Sequence, residues 1–239
     1  MGACRKVKEY NKQYNYAAST SLSVRIATKV RRQMFERFMA YFNPTMNDTV
    51  LDIGVTADQS YSSSNYFEAL YPFKSQITAC GLDDASFLET QYPGVKFQFG
   101  NALQLPFGDN SFDFVHSSAV WEHVGSASNQ SQMLAECVRV ARRGIMLITP
   151  NRWFPVEFHC QLPLLHWLPK PLFRSILKHT KYRDLADEAV LNLLSPREVR
   201  SMAENHREKW IFQVKFAHLM FYPSNILLFA RKEISHDKC

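Results

Sequence analysis

The 239-residue sequence predicts an α/β fold, doubly wound and mostly parallel, with helices on both faces of one sheet. Three observations carry this reading. Five short runs rich in β-branched and apolar residues recur between positions 49 and 149, four of them closed by Gly, Asp or Pro. Helical or loop segments separate them, so the strands cannot be joined as simple hairpins. The composition, 46% hydrophobic and 21% charged, suits a folded core and excludes a disordered or collagen-like chain.

Taken in order, residues 1–20 are polar, lack periodicity and are expected to be mobile; residues 21–239 are expected to form a single domain. Leu22, Ile26, Val30, Met34, Phe38 and Tyr41 recur at spacings of three and four, which predicts an amphipathic helix over 21–42, ended by Asn43-Pro44. Strands are predicted at 49–53, 76–82, 95–99, 112–117 and 144–149, with helices at 65–70 and 130–141. Residues 152–182 are rich in Pro, Trp, Phe and His and read as an insertion near 151–195. Ser195 and Pro196 mark a helix start, and 210–216 and 226–231 read as two final strands.

Net charge is +6, but residues 1–40 hold nine Lys/Arg against two Glu, and the remainder of the chain is nearly neutral. Arg25, Lys29, Arg32 and Glu36 share helical spacing and read first as a solvated face. No basic–aromatic array suited to stacking bases stands out, which weighs against a nucleic-acid partner. Five scattered cysteines without a CxxC pair argue against a disulfide framework. No apolar run reaches the roughly 18–20 residues of a membrane span, and the polar, basic start does not read as a signal peptide. A cytoplasmic location is the expectation.

Three strings place polar groups at the carboxyl edge of the expected sheet, where open α/β folds bind ligands. Asp52 and Gly54 close the first strand. Asp83 and Asp84 close the second, where an acid can accept hydrogen bonds from both ribose hydroxyls or cap a helix. Asn101 follows the third and offers a donor and an acceptor to a purine edge, or serves as a turn residue.

In order and spacing, VLDIG, GLDD, FGNALQLPFGDNSFDFV and SSAVWEHV resemble the class I S-adenosylmethionine-dependent methyltransferases of the type-11, small-molecule kind. The resemblance covers about residues 48–151. It implies a Rossmann-like, seven-stranded sheet with a reversed last strand, and S-adenosyl-L-methionine as cofactor. It implies that Asp52 and Gly54 face the methionine portion, that Asp83 holds the ribose, that Asn101 and Ala102 flank the adenine, and that Ser117 lies beside the methionine through its backbone. One departure stands out. The family's G-x-G-x-G loop reads Gly54-Val55-Thr56-Ala57-Asp58 here, so Thr56 joins the expected cofactor contacts, and the Ser/Tyr-rich 59–65 stretch is a source of replacement hydroxyls.

Beyond the fourth strand, Glu122 and His123 are the candidate catalytic pair, since a histidine titrating near neutrality can accept a hydroxyl proton. The alternative is that His123 packs a helix start while Glu122 pairs with an arginine. Similar Glu-His pairs occur in quinone-biosynthesis O-methyltransferases and in small-RNA 2′-O-methyltransferases, where they help bind a divalent metal; Ala119 stands where the latter have a further acid. Glu157 and His159 would complete such an oxygen/nitrogen set, but the reading adopted expects no metal.

Residues 151–174 lie where the family places substrate-recognition insertions. Trp153, Phe154 and His159 are the candidate substrate contacts, within an apolar lid that also draws on Phe158, His166, Trp167 and Phe173. The alternatives are a satellite core, or peripheral membrane contact through Leu164, Leu165, Trp167 and Leu168. The expected activity is methyl transfer to a small or lipid- or sugar-linked acceptor, at oxygen. Two other readings stand beside it: a non-catalytic scaffold or binding protein that keeps the fold, and an RNA methyltransferase using the basic N-terminal helix.

Overall fold

The structure is a computed structural model that describes residues 22–59 and 64–233. The expected mobile segment, residues 1–20, lies outside them. Helix α1 (Leu22–Phe42) leads into β1 (Val50–Ile53), α2 (Tyr66–Leu70), β2 (Ile77–Gly81), α3 (Phe87–Gln91), β3 (Lys96–Phe99) and β4 (Phe112–Ser118). Then come α4 (Ala127–Val140), β5 (Ala141–Pro150), α5 (Lys170–Leu177), α6 (Pro196–Glu204), β6 (Trp210–Leu219) and β7 (Tyr222–Lys232). The seven strands form one sheet in the order β3-β2-β1-β4-β5-β7-β6. Strands β1 to β5 pair in parallel, and β7 runs antiparallel to both β5 and β6. The α/β class, the mostly parallel sheet and the reversed last strand are as expected.

Strand alternation divides the interior. Side chains of successive strand residues point to opposite faces, so Leu51 and Ile53 join Val115, Trp121, Leu134 and Ile145 in a core under α4 and α6. Val50 joins Phe38, Phe67, Phe114 and Phe229 in a second core under α1 and α2. Fully burying such a side chain stabilises by about 1.5–3 kcal/mol. Helix α1 buries Val30, Met34 and Phe38 as its periodicity requires, together with Phe35 and Phe42, and leaves Lys29, Arg32 and Glu36 on its exposed face.

The LPF-x-D-x-SFD stretch is a brace. Arg139 of α4 donates to the carbonyls of Leu105 and Phe107, at 3.1 and 2.7 Å, and to the Asp109 carboxylate at 3.0 Å. Asp113 accepts from the backbone N–H and the hydroxyl of Thr49, each at 3.0 Å, tying the start of β4 to β1.

Several boundaries differ from the sequence reading. Helix α4 starts at Ala127 rather than 130, because the Ser126 side chain caps it by accepting from the Asn129 N–H. Strands β6 and β7 run on to a tight hairpin at Met220-Phe221, past polar residues that masked their length. The start of α6 is as read, with a full capping box in which Ser195 and Glu198 serve each other's backbone. The insertion builds a small core of its own from Cys160, Phe173, Leu177, Leu185, Leu191 and Leu193. No helix among the described residues is long and apolar enough to cross a membrane.

Candidate active site

The sheet changes winding direction between β1 and β4, because the chain proceeds from β1 outward to β3 and from β4 outward to β5. A crevice therefore opens at their carboxyl ends. Gly54 enters it from β1 with φ +94°, a conformation that favours glycine. Its N–H donates to the Cys80 carbonyl at 2.7 Å, which holds the end of β1 against β2. At Gly81 a Cβ would lie 2.8 Å from the Val55 carbonyl oxygen, so only a glycine lets the two strand ends meet this closely. Asp83 is half-buried two residues further on, beside a half-exposed Leu82. Gly54 and Asp83 thus occupy neighbouring positions along one edge.

The loop after Gly54 is fixed without further glycines. The Thr56 N–H donates to the Asn65 side-chain oxygen, and the Asn65 amide donates back to the Thr56 carbonyl, both at 3.0 Å. The Thr56 hydroxyl turns onto its own loop and accepts from the Asp58 N–H at 3.0 Å. Most of the Ser/Tyr-rich 59–65 stretch lies outside the described residues; Ser64 and Asn65 do not. Asn101 is exposed and its side-chain oxygen accepts from the Leu103 N–H at 2.9 Å, so that oxygen serves the turn. Ala102 is buried behind it. Ser117 is also buried, its hydroxyl donating to the Ile53 carbonyl at 2.8 Å.

Asp52 lies on the α1/α2 face, and sequence reasoning missed its partners. Its Oδ1 is 2.5 Å from His116 Nδ1, the His116 ring stacks on Phe67 with centroids 4.3 Å apart, and Tyr66 Oη is 3.2 Å from His116 Nε2. Burial pushes Asp52 up to about 7 and His116 down to about 3. Glu68 is held well above the usual carboxylate range by burial and then by the Asp52 charge. These groups adjoin a cavity of about 20 Å³ lined by Asp52, Gly54, Asn65, Tyr66, His116 and Ser118. No local pattern announces this cluster, since His116 and Glu68 sit in runs that read as ordinary strand and helix.

On the other side of β4, Ala119 takes φ +57° and the chain enters a short helical turn, Trp121–His123. The Trp121 indole donates to the Gln130 carbonyl, and the Gln130 amide returns bonds to the carbonyls of Trp121 and Asn192. Together these fasten the turn to α4 and to the segment before α6. Glu122 is fully buried and accepts from the Thr149 hydroxyl at 2.9 Å, so a β5 hydroxyl stands where the alternative reading placed an arginine. His123 Nδ1 donates to the Val190 carbonyl at 2.7 Å. Its Nε2 faces His159 Nε2 at 3.2 Å, and His159 Nδ1 bonds Glu157 Oε1 at 2.6 Å. Burial raises Glu122 to about 7 and lowers His123 to about 4, the neighbouring His159 adding to the latter. Burial alone would raise Glu157, but the His159 charge and hydrogen bonds outweigh it and bring it to about 2.

The expected substrate contacts part company. Trp153 is half-exposed and meets Trp167 edge to face, with centroids 6.4 Å apart. Phe154 is buried and stacked on Phe158, and its carbonyl accepts from His166 at 2.7 Å, so its ring belongs to the interior. His159 joins the His123 cluster. The insertion is therefore part satellite core, through Phe173 and His166, and part exposed apolar surface, through Trp153, Leu164 and Trp167.

Residues 57–149 match a family model described as a methyltransferase domain. That stretch, less than half of the chain, is similar to methyltransferase domains. The matched stretch runs from three residues past Gly54 to the end of β5 and takes in Asp83, Asn101 and the Glu122-His123 pair. No curated protein sequence matches the chain. Among solved structures, a magnesium protoporphyrin IX methyltransferase from Synechocystis with bound S-adenosylhomocysteine aligns with a TM-score of 0.57 at 14% identity, covering 91% of this chain and 90% of that one. A 1,6-didemethyltoxoflavin-N1-methyltransferase from Burkholderia thailandensis aligns at 0.56 and 14% identity, over 89% of this chain and 82% of that one. A protein from Pyrococcus horikoshii aligns at 0.59 and 15% identity, over 91% and 95%. These likenesses show the fold.

The structure offers what a nucleoside needs at the β1–β3 edge. A glycine with positive φ lets backbone approach, an acid stands at the end of β2, and exposed apolar carbon is present at Leu82 and Phe99. The donor set is oxygen-rich where hydroxyls would bind and apolar where a ring would lie.

Proposed function

We propose that this domain transfers the methyl group of S-adenosylmethionine to a hydroxyl oxygen of a small or lipid- or sugar-linked molecule in the cytoplasm. On this reading Asp83 accepts from the ribose hydroxyls, Asn101 and Ala102 border the adenine, and Gly54, Thr56, Asp52 and Ser117 form the methionine end. The insertion near 151–195 lies over the acceptor, with Trp153 presenting its exposed ring. Phe154 supports that surface from beneath.

The observation that supports an oxygen acceptor is the histidine cluster one helical turn beyond the crevice. The sulfonium methyl is already activated, so the protein has to align it with the acceptor and exclude water. A hydroxyl placed against His123 Nε2 gives its proton to that nitrogen as its oxygen forms the new bond to the methyl carbon. The carbon–sulfur bond breaks and its electron pair stays on sulfur as a thioether. Burial lowers His123 to about 4, below the near-neutral value expected from the sequence, so the imidazole is neutral near pH 7 but a weaker base than a free histidine. Incubation of the protein with methyl-labelled cofactor and a cell extract tests the reading. A labelled methyl ether or ester supports it; label confined to nitrogen or sulfur overturns the oxygen assignment.

One observation favours the second reading, a binding protein that keeps the fold without catalysis. A Cβ on Gly54 would lie 1.9 Å from Val120 Cγ2, so the valine side chain stands directly over the glycine. Calorimetry with S-adenosylhomocysteine separates the two. Binding that Asp83→Ala weakens strongly supports the enzyme, and no binding at millimolar ligand supports the scaffold.

A further inference from the structure

The Glu122–His123–His159 cluster holds more than a general base requires. Among the described residues these three each offer one ligand atom, and the three atoms lie within 4.8 Å of one another. His123 Nε2 and His159 Nε2 are 3.2 Å apart, and His123 Nε2 is 3.9 Å from Glu122 Oε1. Ligand nitrogens about 2.0–2.1 Å from a tetrahedral zinc are roughly 3.3 Å from each other, so the two imidazoles already stand at the edge length of such a site.

The outer contacts fix which atoms face inward. The Val190 carbonyl is an acceptor only, and so is an ionised Glu157; each therefore takes the Nδ1 proton of its histidine. Both Nε2 atoms then face each other across 3.2 Å, where either a proton or a cation must lie. Glu122 decides between them. Its Oε2 accepts from Thr149, but its Oε1 is buried without a hydrogen-bond partner. A proton shared by the imidazoles leaves that oxygen unsatisfied, whereas a cation satisfies all three atoms at once.

We infer that Glu122, His123 and His159 bind one first-row divalent cation of the zinc type, with Glu157, Val190 and Thr149 orienting the ligands; with the cation bound, His123 Nε2 is a ligand, and it is the proton acceptor proposed above only in the metal-free protein. This replaces the sequence expectation of no metal. Each ligand is held from behind by a carboxylate, a carbonyl or a hydroxyl, the arrangement that sets ring orientation and ligand basicity in metal sites. Two nitrogens and one oxygen suit zinc or a neighbouring transition ion over magnesium or calcium. Three protein ligands leave a fourth position open, as in catalytic rather than structural sites. The His123 side chain is 27% exposed, which provides a way in.

The test is direct and does not depend on methyl transfer. Tag-free full-length protein is stripped with chelator and titrated with Zn²⁺ by calorimetry and with Co²⁺ by visible absorption. The expected result is one equivalent bound, with a cobalt spectrum of a four-coordinate nitrogen/oxygen site. His159→Gln and Glu122→Gln should each weaken Zn²⁺ binding at least 100-fold, and Glu157→Gln about 10–100-fold. His218→Gln, on the exposed face of β6, should change nothing. Circular dichroism checks that each variant folds, and the wild-type cobalt spectrum and stoichiometry carry the test if one does not. Binding well below one equivalent at micromolar Zn²⁺, or binding that survives both Glu122→Gln and His159→Gln, overturns the assignment and leaves a proton between the histidines. If metal binds but no labelled hydroxyl product forms, the cation site stands and the proposed oxygen acceptor does not.

Discussion

Between β1 and β3 the carboxyl edge is made of backbone and turns, from one contiguous stretch of chain. Beyond β4 the second half of the site is made of side chains brought from afar. His123 reaches His159 across 36 residues and Val190 across 67. The first half needs glycines, an acid and short strands in a fixed order, and a local string can encode all of that. The second half needs a helical turn, a strand-end hydroxyl and an insertion with its own small core to arrive together. Donor binding can therefore be stable while acceptor chemistry depends on how well the insertion is docked.

Core truncations probe that difference most strongly. Phe38→Ala, beneath the sheet, should lower the unfolding free energy by about 3–5 kcal/mol in a urea titration. Phe173→Ala, in the insertion, should instead raise hydrogen exchange across residues 160–193 while the β1–β5 amides stay protected. Equal global losses from both would erase the distinction between the halves.

Asp83→Ala addresses the backbone-built half alone. Loss of charge-assisted bonds to two hydroxyls should cost about 2–3 kcal/mol, roughly a 30–150-fold loss of S-adenosylhomocysteine affinity by calorimetry. Zinc binding by the same variant should be unchanged.

Glu68→Gln reads the buried acids beneath the crevice. Glu68 ionises near pH 4.3 in the unfolded chain, at about the reference value, but stays protonated to higher pH when folded. Folding therefore takes up a proton, and wild-type stability falls as pH rises through that window. The variant should melt higher than wild type at pH 8, by roughly 2–4 °C per kcal/mol gained, and the gap should close below about pH 4.5. A gap that widens toward low pH would reverse the assignment.

The smallest effect is expected at Asn65→Ala. Loss of the paired bonds to Thr56 should cost about 1 kcal/mol and weaken S-adenosylhomocysteine binding about fivefold. No change would mean that the loop is held by other contacts.

Much of the fold was legible because strand ends and turns leave local marks. TVLDI before Gly54 and GIMLIT before Pro150 each place a strand within a few residues. Helix α4 began earlier than its apolar period suggested, since a serine cap can start a helix on a polar first turn. In the site, Asp83 and Gly54 could be paired by order alone. The link between His123 and His159 could be suspected, but not their 3.2 Å separation, because the insertion between them has no period from which to compute its path. His116 and Glu68 were missed because burial, and not residue type, makes them unusual.

The contact between Val120 and Gly54 joins the two halves mechanically. Val120 closes over the glycine, and its carbonyl accepts from the His123 N–H at 2.8 Å. An alanine at position 54 would therefore press on the residue that anchors the His123 turn, so one glycine serves both halves of the edge.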